Sequence, residues 1–295
     1  MNEFKNYHPL VNFIYFLCVI IFSCIFMHPV CLLVSFAASF AYSIVLEGRN
    51  ALKTLLAYSI PLIILTALIN TLFNHEGVTI LTYFPNGNPL TLESVVYGFA
   101  AAVMILSVVC WFSCYNRIIT SDKFIYLFGK IKPSLSLILS MTFRFVPRFG
   151  EQFKKVADAQ KCIGRDISSK GFIHRIKCAV SIMSVMITWA LENSVETADS
   201  MKSRGYGLPG RTAFSIFKFT RRDKIALICI LTLSIYIVLG SVLGKMQFHY
   251  FPSMEIMKFS VLKVSVFIGY FLLSVMPLII EFCQVLKWKF VKSKM

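Results

Sequence analysis

Charged residues are scarce in this chain, and their scarcity excludes most soluble folds. Only 15% of the 295 residues are Asp, Glu, Lys or Arg, whereas 57% are hydrophobic and the mean hydropathy is +0.72. A soluble domain carries about 25% charged residues. The bilayer is therefore the main solvent of this chain, and its composition predicts an all-α, polytopic membrane protein.

Motifs that carry catalysis are absent as well. The sequence has no Walker-type glycine loop, no nucleophile elbow, no HExxH and no paired intramembrane carboxylates. None of its nine cysteines belongs to a metal-site spacing, and the CxxxC pair Cys110 and Cys114 alone is weak evidence for a metal. The sequence thus predicts no catalytic residue, no metal and no cofactor, so a partner must supply the energy for any uphill process.

Six weakly charged stretches are long enough, or almost long enough, to cross a hydrocarbon core of about 30 Å as helices. The first two are separated only by His28, which predicts a tight helical hairpin. The first is not expected to be a cleaved signal peptide, because another apolar run follows at once and no small-residue cleavage site is present. We expect Lys53, Lys263 and Glu281, near the span ends, to extend toward the headgroups. The spans cover residues 10–27, 29–46, 51–73, 94–115, 225–244 and 264–280.

The positions of Lys and Arg predict the orientation, because basic loops stay on the cytoplasmic side. Lys5, Arg49 and Lys53 mark one side, and the basic tail 287–294 returns to it. The loop 74–93 has no Lys or Arg and contains the turn signal NGNP, so it belongs on the other side. Both termini are therefore predicted to be cytoplasmic in a plasma-membrane protein. The outward exceptions are Lys245, Lys258 and Lys263.

The net charge of +16 is concentrated in one segment. Residues 117–224 carry 20 Lys and Arg against 8 Asp and Glu. Such a segment attracts anionic lipid headgroups by about 1 kcal/mol per basic residue. Nucleic acid is excluded as a partner, because the basic residues alternate with membrane-like runs and no nucleic-acid motif is present. The chain thus divides into a four-span region 1–116, a basic cytoplasmic region 117–224 and a two-span region 225–295.

Two apolar pieces interrupt the basic region. Residues 133–143 and 178–191 are uncharged and would form helices of about 17 and 21 Å, too short for a comfortable crossing. We predict that they lie in or just under the membrane interface. The region then contains three helices, over residues 133–147, 148–163 and 172–203, with GRDISSKG as the last linker.

The third of these helices is acidic in its second half. Glu192, Glu196 and Asp199 follow one another at i, i+4 and i+7, which places them on one face. A solvated stripe and a role in an interface both fit this pattern.

The stretch ADSMKSRGYG, residues 198–207, ends the same helix. Arg204 is followed by Gly205, a residue that commonly stops helices, so the helix is predicted to end near Ser203 with Arg204 projecting from its tip. A guanidinium is always charged and presents five donors in a fixed fork. This arrangement favours docking onto a partner over chemistry.

Ser203, Arg204 and Gly205, with Tyr206 behind them, resemble the second Ala-Arg-Gly-type signature of the transmembrane T component of energy-coupling factor transporters. These are ABC-type importers of vitamins and transition-metal ions. The order of parts is similar over most of the chain, from HPLVNF at residues 8–13 to the closing spans. The resemblance implies that each motif arginine seats in a groove of one of two ATPase subunits. It also implies a substrate-binding membrane S component as a partner and no catalytic site in this chain.

The first motif departs from the family pattern. Cys162, Ile163 and Gly164 stand where Ala-Arg-Gly is expected, so the arginine is replaced by Ile163. Arg165 follows two residues later, beside Asp166. Two alternatives remain open at this point. Either Arg165 reaches the same pocket from a shifted register, or the first contact is weaker and mostly apolar.

Two other classes of protein compete with this interpretation. A polytopic enzyme acting on lipid-linked substrates would show a polar catalytic cluster near a membrane face, and a stand-alone carrier would place ionisable residues within its spans. The sequence shows neither. Within the favoured class, a module shared by several vitamin-binding subunits and a dedicated cobalt or nickel importer remain open, because substrate contacts in this family belong to another subunit.

Overall fold

The computed structural model describes residues 3–83, 89–131, 133–165, 171–208, 217–244, 246–252 and 260–292, with the backbone alone for residues 49–58, 130–131, 133, 289 and 291. Nine α-helices form this described part, which confirms the predicted all-α class. They are α1 (Pro9–Ile25), α2 (Pro29–Glu47), α3 (Arg49–Phe73), α4 (Leu92–Ile118), α5 (Ser121–Ile131), α6 (Pro133–Cys162), α7 (Phe172–Ser203), α8 (Arg221–Val242) and α9 (Val261–Lys292).

A short hairpin is the exception to the helical architecture. Strands β1 (Ile80–Tyr83) and β2 (Pro89–Thr91) pair antiparallel between α3 and α4, with Ile80 opposite Thr91 and Tyr83 opposite Pro89. Residues 86–88 of the predicted turn signal NGNP lie outside the described residues, and its Pro89 begins β2. A single 3-10 turn, Phe4–Asn6, precedes α1.

The six predicted spans coincide with α1, α2, α3, α4, α8 and α9. The break between the first two follows from sequence chemistry, because both helices begin with a His-Pro pair. The His28 Nδ1 accepts a hydrogen bond from the Val30 N–H at 3.3 Å, and Pro29 occupies the first helical position, where its missing N–H costs nothing. Residues 26–28 alone connect the two helices.

Length and composition make five of the described helices candidate spans, and one of these was not predicted. They are Pro29–Glu47, Leu92–Ile118, Phe172–Ser203, Arg221–Val242 and Val261–Trp288, while Pro9–Ile25 and Ser59–Phe73 are shorter apolar helices. The unexpected member is α7. Its uncharged stretch has 14 residues, but the continuous helix around it extends the apolar window to the length of a crossing. The placement of this helix at the membrane interface stays a prediction.

The predicted break at Pro147 is wrong. Residues 133–162 form one helix, α6, that continues through Pro147. Proline removes one intrahelical hydrogen bond, and a long amphipathic helix that packs along a neighbour retains enough other contacts to absorb this loss. Helix α5 was also missed, because its 11 residues are too few for a helical period to be told apart from other structure by sequence pattern.

The chain forms two compact units. The first unit, which we call the bundle, comprises Met1–Lys123 and Phe217–Met295, and the second, which we call the hairpin unit, comprises Phe124–Ile216. In the bundle, α4 packs against α1, α2 and α3, and α9 packs against α2 and α8. Ser35 joins three bundle helices, since its Oγ lies 2.6 Å from Ser23 Oγ and accepts from Trp111 Nε1 at 3.1 Å.

The expectation that Glu281 extends toward the headgroups is wrong. Its side chain is buried at 6% exposure in α9, within a bundle whose α9 packs against α2 and the 3-10 turn. Sequence reasoning judged its depth from distance to the end of the apolar run, whereas α9 continues to Lys292 and keeps Glu281 well inside the helix. Lys263, near the other end of α9, is half-exposed, and the side chain of Lys53 lies outside the described residues, so for both lysines the expectation stays a prediction.

Close packing of α8 against α9 yields a first prediction. A Cβ placed on Gly240 would lie 2.6 Å from Val266 Cγ2 and 2.8 Å from Cγ1, closer than real Cβ contacts allow. We therefore expect Gly240→Ala to reduce the free energy of unfolding by about 1–3 kcal/mol, the usual cost of overpacking. The thermal unfolding midpoint of the chain in detergent measures this effect.

Two further variants make that measurement specific. Gly150 in α6 has no atom within 4 Å of the corresponding Cβ position, so Gly150→Ala should leave the midpoint unchanged or raise it. Combining Gly240→Ala with Val266→Ala should recover part of the loss, because the second change removes the clashing methyl groups. Equal midpoints for Gly240→Ala and the wild type would show that α8 and α9 can move apart without a loss in the free energy of unfolding.

Candidate functional site

Helix α7 ends in a closed cap built around Gly205. The Gly205 N–H donates to the Lys202 carbonyl at 3.0 Å, and the Tyr206 N–H donates to the Met201 carbonyl at 3.0 Å. Gly205 has a φ of +79°, in the left-handed region that glycine tolerates best. This pair of bonds is the Schellman motif, which satisfies the last carbonyls of a helix. The helix therefore ends at Ser203, as predicted, and Arg204 stands at the tip.

Helix α6 ends in the same cap. The Gly164 N–H donates to the Lys161 carbonyl at 3.0 Å, and the Arg165 N–H donates to the Gln160 carbonyl at 3.0 Å. Gly164 has a φ of +83°. The two ends correspond residue by residue, so that Ile163 occupies the position of Arg204 at the tip.

The two caps differ in what they present to solvent. Arg204 is exposed and, among the described residues, its side chain makes no hydrogen bond or ion pair. Ile163 is 71% exposed. One tip therefore carries a cation and the other an isoleucine.

The Arg165 side chain contacts α7, which belongs to the same hairpin unit. Arg165 occupies the same cap position as Tyr206, one residue past the glycine, and its Nη1 donates to Ser181 Oγ on α7 at 3.4 Å. Its side chain is exposed, but this contact turns the guanidinium toward the neighbouring helix. Asp166, the last residue of the degraded motif, lies outside the described residues.

Helices α6 and α7 pack as an antiparallel pair. The rings of Phe149 and Trp189 meet edge to face with centroids 5.3 Å apart, and Val156, Ile182 and Met186 form a small buried core. Sequence reasoning missed this seam because it split α6 at Pro147. The available signal was the i, i+4 spacing of aromatic residues around Phe149 in FRFVPRFGEQF.

The packing separates the two tips. The first tip, at the end of α6, lies beside Ser181, since Arg165 contacts that residue. The second tip follows Ser203, which is 22 residues further along the same helix. At about 1.5 Å per residue, the two tips are about 33 Å apart along α7. One rigid helix pair therefore presents two identically capped ends at a fixed separation.

An apolar surface lies between the tips. A groove of 350 Å³ runs between α6 and α7 and is lined by Phe149, Gly150, Phe153, Met183, Met186, Ile187 and Ala190. A second concavity of 470 Å³ follows one face of α7, over Ile176, Ala179, Val180, Met183, Ser184, Ile187 and Thr188. Large exposed apolar patches of this kind mark contacts with membrane or protein.

The acidic stripe is solvent-exposed in the hairpin unit. Glu192, Glu196 and Asp199 are all exposed. Exposure agrees with both alternatives that the sequence left open, a solvated stripe or an interface in the complex.

Metal ligands do not converge in the described part of the chain. No group of three or more His, Cys, Asp or Glu side chains is placed to hold a metal ion there. Cys110 and Cys114 are buried in α4, where thiols pack as small apolar groups. Cys178 and His174 lie 3.5 Å apart on α7, which supplies two donors where zinc takes four.

These features define the class of protein: a multi-span membrane bundle with a long helix pair that presents two capped tips. Residues 5–215 match the family described as CbiQ, Cobalt transport protein. Because this match covers more than half of the chain, the protein belongs to the CbiQ family.

Relatives of this chain carry the name Energy-coupling factor transporter transmembrane protein EcfT. The protein of Lactococcus lactis subsp. cremoris (strain MG1363) is 27% identical over 191 residues, which cover 62% of this chain and 72% of the relative. That of Bacillus subtilis (strain 168) is 24% identical over 182 residues, which cover 59% and 69%. That of Lactobacillus helveticus (strain DPC 4571) is 32% identical over 94 residues, and the chain spans about a third of its length, 34%.

The family confirms two predictions made from the sequence. The resemblance to the transmembrane T component is confirmed, and so is the prediction of a non-catalytic membrane component.

Proposed function

We propose that this chain is the membrane scaffold of an ATP-driven importer and couples two ABC-type ATPase subunits to a substrate-binding membrane subunit. The observation that carries the proposal is the pair of identical Schellman caps at the ends of α6 and α7. Two like tips about 33 Å apart on one helix pair are suited to two like partners. The transported substrate is a vitamin or a transition-metal ion, recognised by the membrane partner.

The mechanism follows from the rigidity of the helix pair. When ATP closes the two ATPase subunits on each other, the grooves that hold the tips change their separation. Helices that grip both grooves must tilt or shear as rigid rods, since packed helices move as bodies. The seam of Phe149, Trp189 and the buried core of α6 and α7 makes the pair stiff enough to transmit this displacement.

The apolar surface between the tips supplies the second contact. The groove around Met183 and Ile187 is wide, open and almost free of charge. It suits the transmembrane helices of a small hydrophobic partner, and its methionines repack easily against a partner that moves or varies. The tilt of the helix pair then reorients the bound subunit in the bilayer and releases its ligand inward. Both termini lie in the cytoplasm, where the basic residues of 117–224 also attract anionic lipid headgroups.

Affinity purification of the detergent-solubilised chain from its own host tests the proposal. We expect two ATPases and a small hydrophobic protein to co-purify, and mass spectrometry of the small molecule bound to that protein will name the substrate. Recovery of the chain alone, in the presence of added lipids and with Arg204 intact, would contradict the proposal and favour a stand-alone carrier or a membrane enzyme.

A further inference from the structure

The N-terminal residues 3–8, which we call the N-terminal strap, pack on the bundle with Glu3, Phe4 and His8 buried and with Lys5 and Asn6 exposed. Phe4 is fully buried, and its ring meets those of Tyr15, Phe16 and Tyr42 edge to face, with centroids 5.3, 6.2 and 6.4 Å away. These edge-to-face ring contacts hold the strap against α1 and α2.

The strap holds the place where the chain leaves the bundle. Lys123 is the last bundle residue before the hairpin unit, and only 6% of its side chain is exposed. With the Asn12 amide oriented to satisfy both neighbours, its nitrogen donates to the Phe4 carbonyl at 3.1 Å and its oxygen accepts from Lys123 Nζ at 2.9 Å. Lys123 Nζ also donates to the Lys5 carbonyl. Burial, with a smaller contribution from Lys5, lowers the pKa of Lys123 to about 8, so the amine is still mostly protonated at pH 7.

The strap also holds the place where the chain returns. The bundle resumes at Phe217, and α8 begins at Arg221. Buried Asp223, in the first turn of α8, accepts from the His8 N–H at 3.1 Å through Oδ1. Its Oδ2 closes the α8 cap by accepting from the N–H and Oγ of Thr220 at 2.8 and 2.7 Å. The Arg222 guanidinium lies over the Tyr7 ring, 5.7 Å from its centroid.

We infer that the N-terminal strap is a clamp that ties together the two chain connections of the hairpin unit, at Lys123 and Asp223, and so fixes the base on which that unit moves. The inference rests on the proposed function. A helix pair driven at its tips transmits force only if its base is anchored; otherwise the connections yield first. Lys123, Asn12 and Asp223 are positioning residues in this view, since all three act through the strap.

A clamp that joins two sites must couple them, and this coupling can be measured on the chain alone in detergent. Lys123→Met removes the ammonium but retains most of the apolar stem. We expect hydrogen exchange to accelerate at least about ten-fold over residues 3–8 and also over 220–224, although within the described part of the chain no hydrogen bond joins Lys123 to the latter. Asp223→Ala should reciprocally accelerate exchange at 125–128 in α5, because coupling between two sites is mutual.

Matched variants keep this test decisive. Lys5→Met removes an equal charge from the strap, but its side chain is exposed and its carbonyl bond remains, so exchange should stay as in the wild type. Lys123→Arg retains donors and should recover much of the protection. If Lys123→Met does not fold, the milder Asn12→Asp keeps the oxygen that faces Lys123 and loses the donor to Phe4. Faster exchange confined to the mutated connection would overturn the clamp.

A second measurement addresses coupling in the assembled transporter. We expect Lys123→Met to bind the ATPases and hydrolyse ATP within about two-fold of the wild type, because both tips are intact. The change in hydrogen exchange that ATP with vanadate produces in the bundle should be lost. Wild-type bundle responses in this variant would refute an anchoring role. If the proposed function is wrong, the wild-type chain will not bind the ATPases either, so this outcome can be distinguished from failure of the clamp alone.

Discussion

Replacing Arg204 with alanine is expected to abolish transport and to weaken binding of the ATPases by at least about 30-fold, with the fold retained. Arg204 stands at the tip of α7, exposed, and its side chain has no bond within the described residues that would have to break on docking. In a partner groove its guanidinium forms charge-assisted hydrogen bonds. Truncating such a buried partner costs about 2–5 kcal/mol, which gives the expected loss.

The fold should survive because the cap of α7 depends on the backbone. The bonds from Gly205 and Tyr206 to the last carbonyls use N–H groups, and the Arg204 side chain takes no part in them. Lys202→Ala is the matched control, since it removes an exposed cation two residues before the tip. Co-purification of the ATPases and uptake into proteoliposomes measure the two effects. Unchanged transport in the Arg204 variant would contradict the coupling proposal.

The second large effect is expected at the first tip, at the end of α6, where the structure favours a mostly apolar contact over Arg165 in a shifted register. Ile163 occupies the cap position of Arg204, whereas Arg165 sits one residue past the glycine and contacts Ser181. An isoleucine that becomes buried on docking contributes about 1.5–3 kcal/mol. We therefore expect Ile163→Asp to weaken ATPase binding by about ten-fold or more, and Arg165→Ala to change it by less than about three-fold.

Ile163→Arg provides the complementary variant for this tip. It restores the arginine of the family pattern at the same cap position, so ATPase binding should be retained or strengthened if the groove accepts both side chains. Affinities of purified chain variants for the ATPase pair give a direct comparison. Equal losses in Arg204→Ala and Arg165→Ala, with Ile163→Asp silent, would mean that Arg165 has replaced the missing arginine from a shifted register.

Local sequence signals were sufficient for the six predicted spans and for the end of α7. The apolar runs predicted six spans because a helix in lipid must be both long and uncharged, and each run coincides with a helix. Gly205 predicted the end of α7 because a left-handed residue closes the helix through its own backbone. Both effects act within a few residues, so they can be read without tertiary contacts.

The predictions for Pro147 and Glu281 were wrong because each was made from a short stretch of sequence, whereas packing and helix length decided the outcome. Pro147 predicted a break, but α6 continues because it packs along α7. Glu281 was expected at the surface, but α9 continues past it and leaves it buried. In each instance a neighbouring or extended element, which no local window contains, decided the outcome.

The sequence by itself determined that this protein is a helical membrane component with an arginine-tipped helix, since composition and helix-stopping residues express local physical chemistry. Only the tertiary structure decided that the tips are held apart by one antiparallel pair. It alone also decided that residues 3–8 reach both Lys123 and Asp223. These relations join residues of different segments, from Arg165 and Ser181 at 16 positions apart to His8 and Asp223 at 215, and such contacts depend on how the helices pack rather than on any one segment.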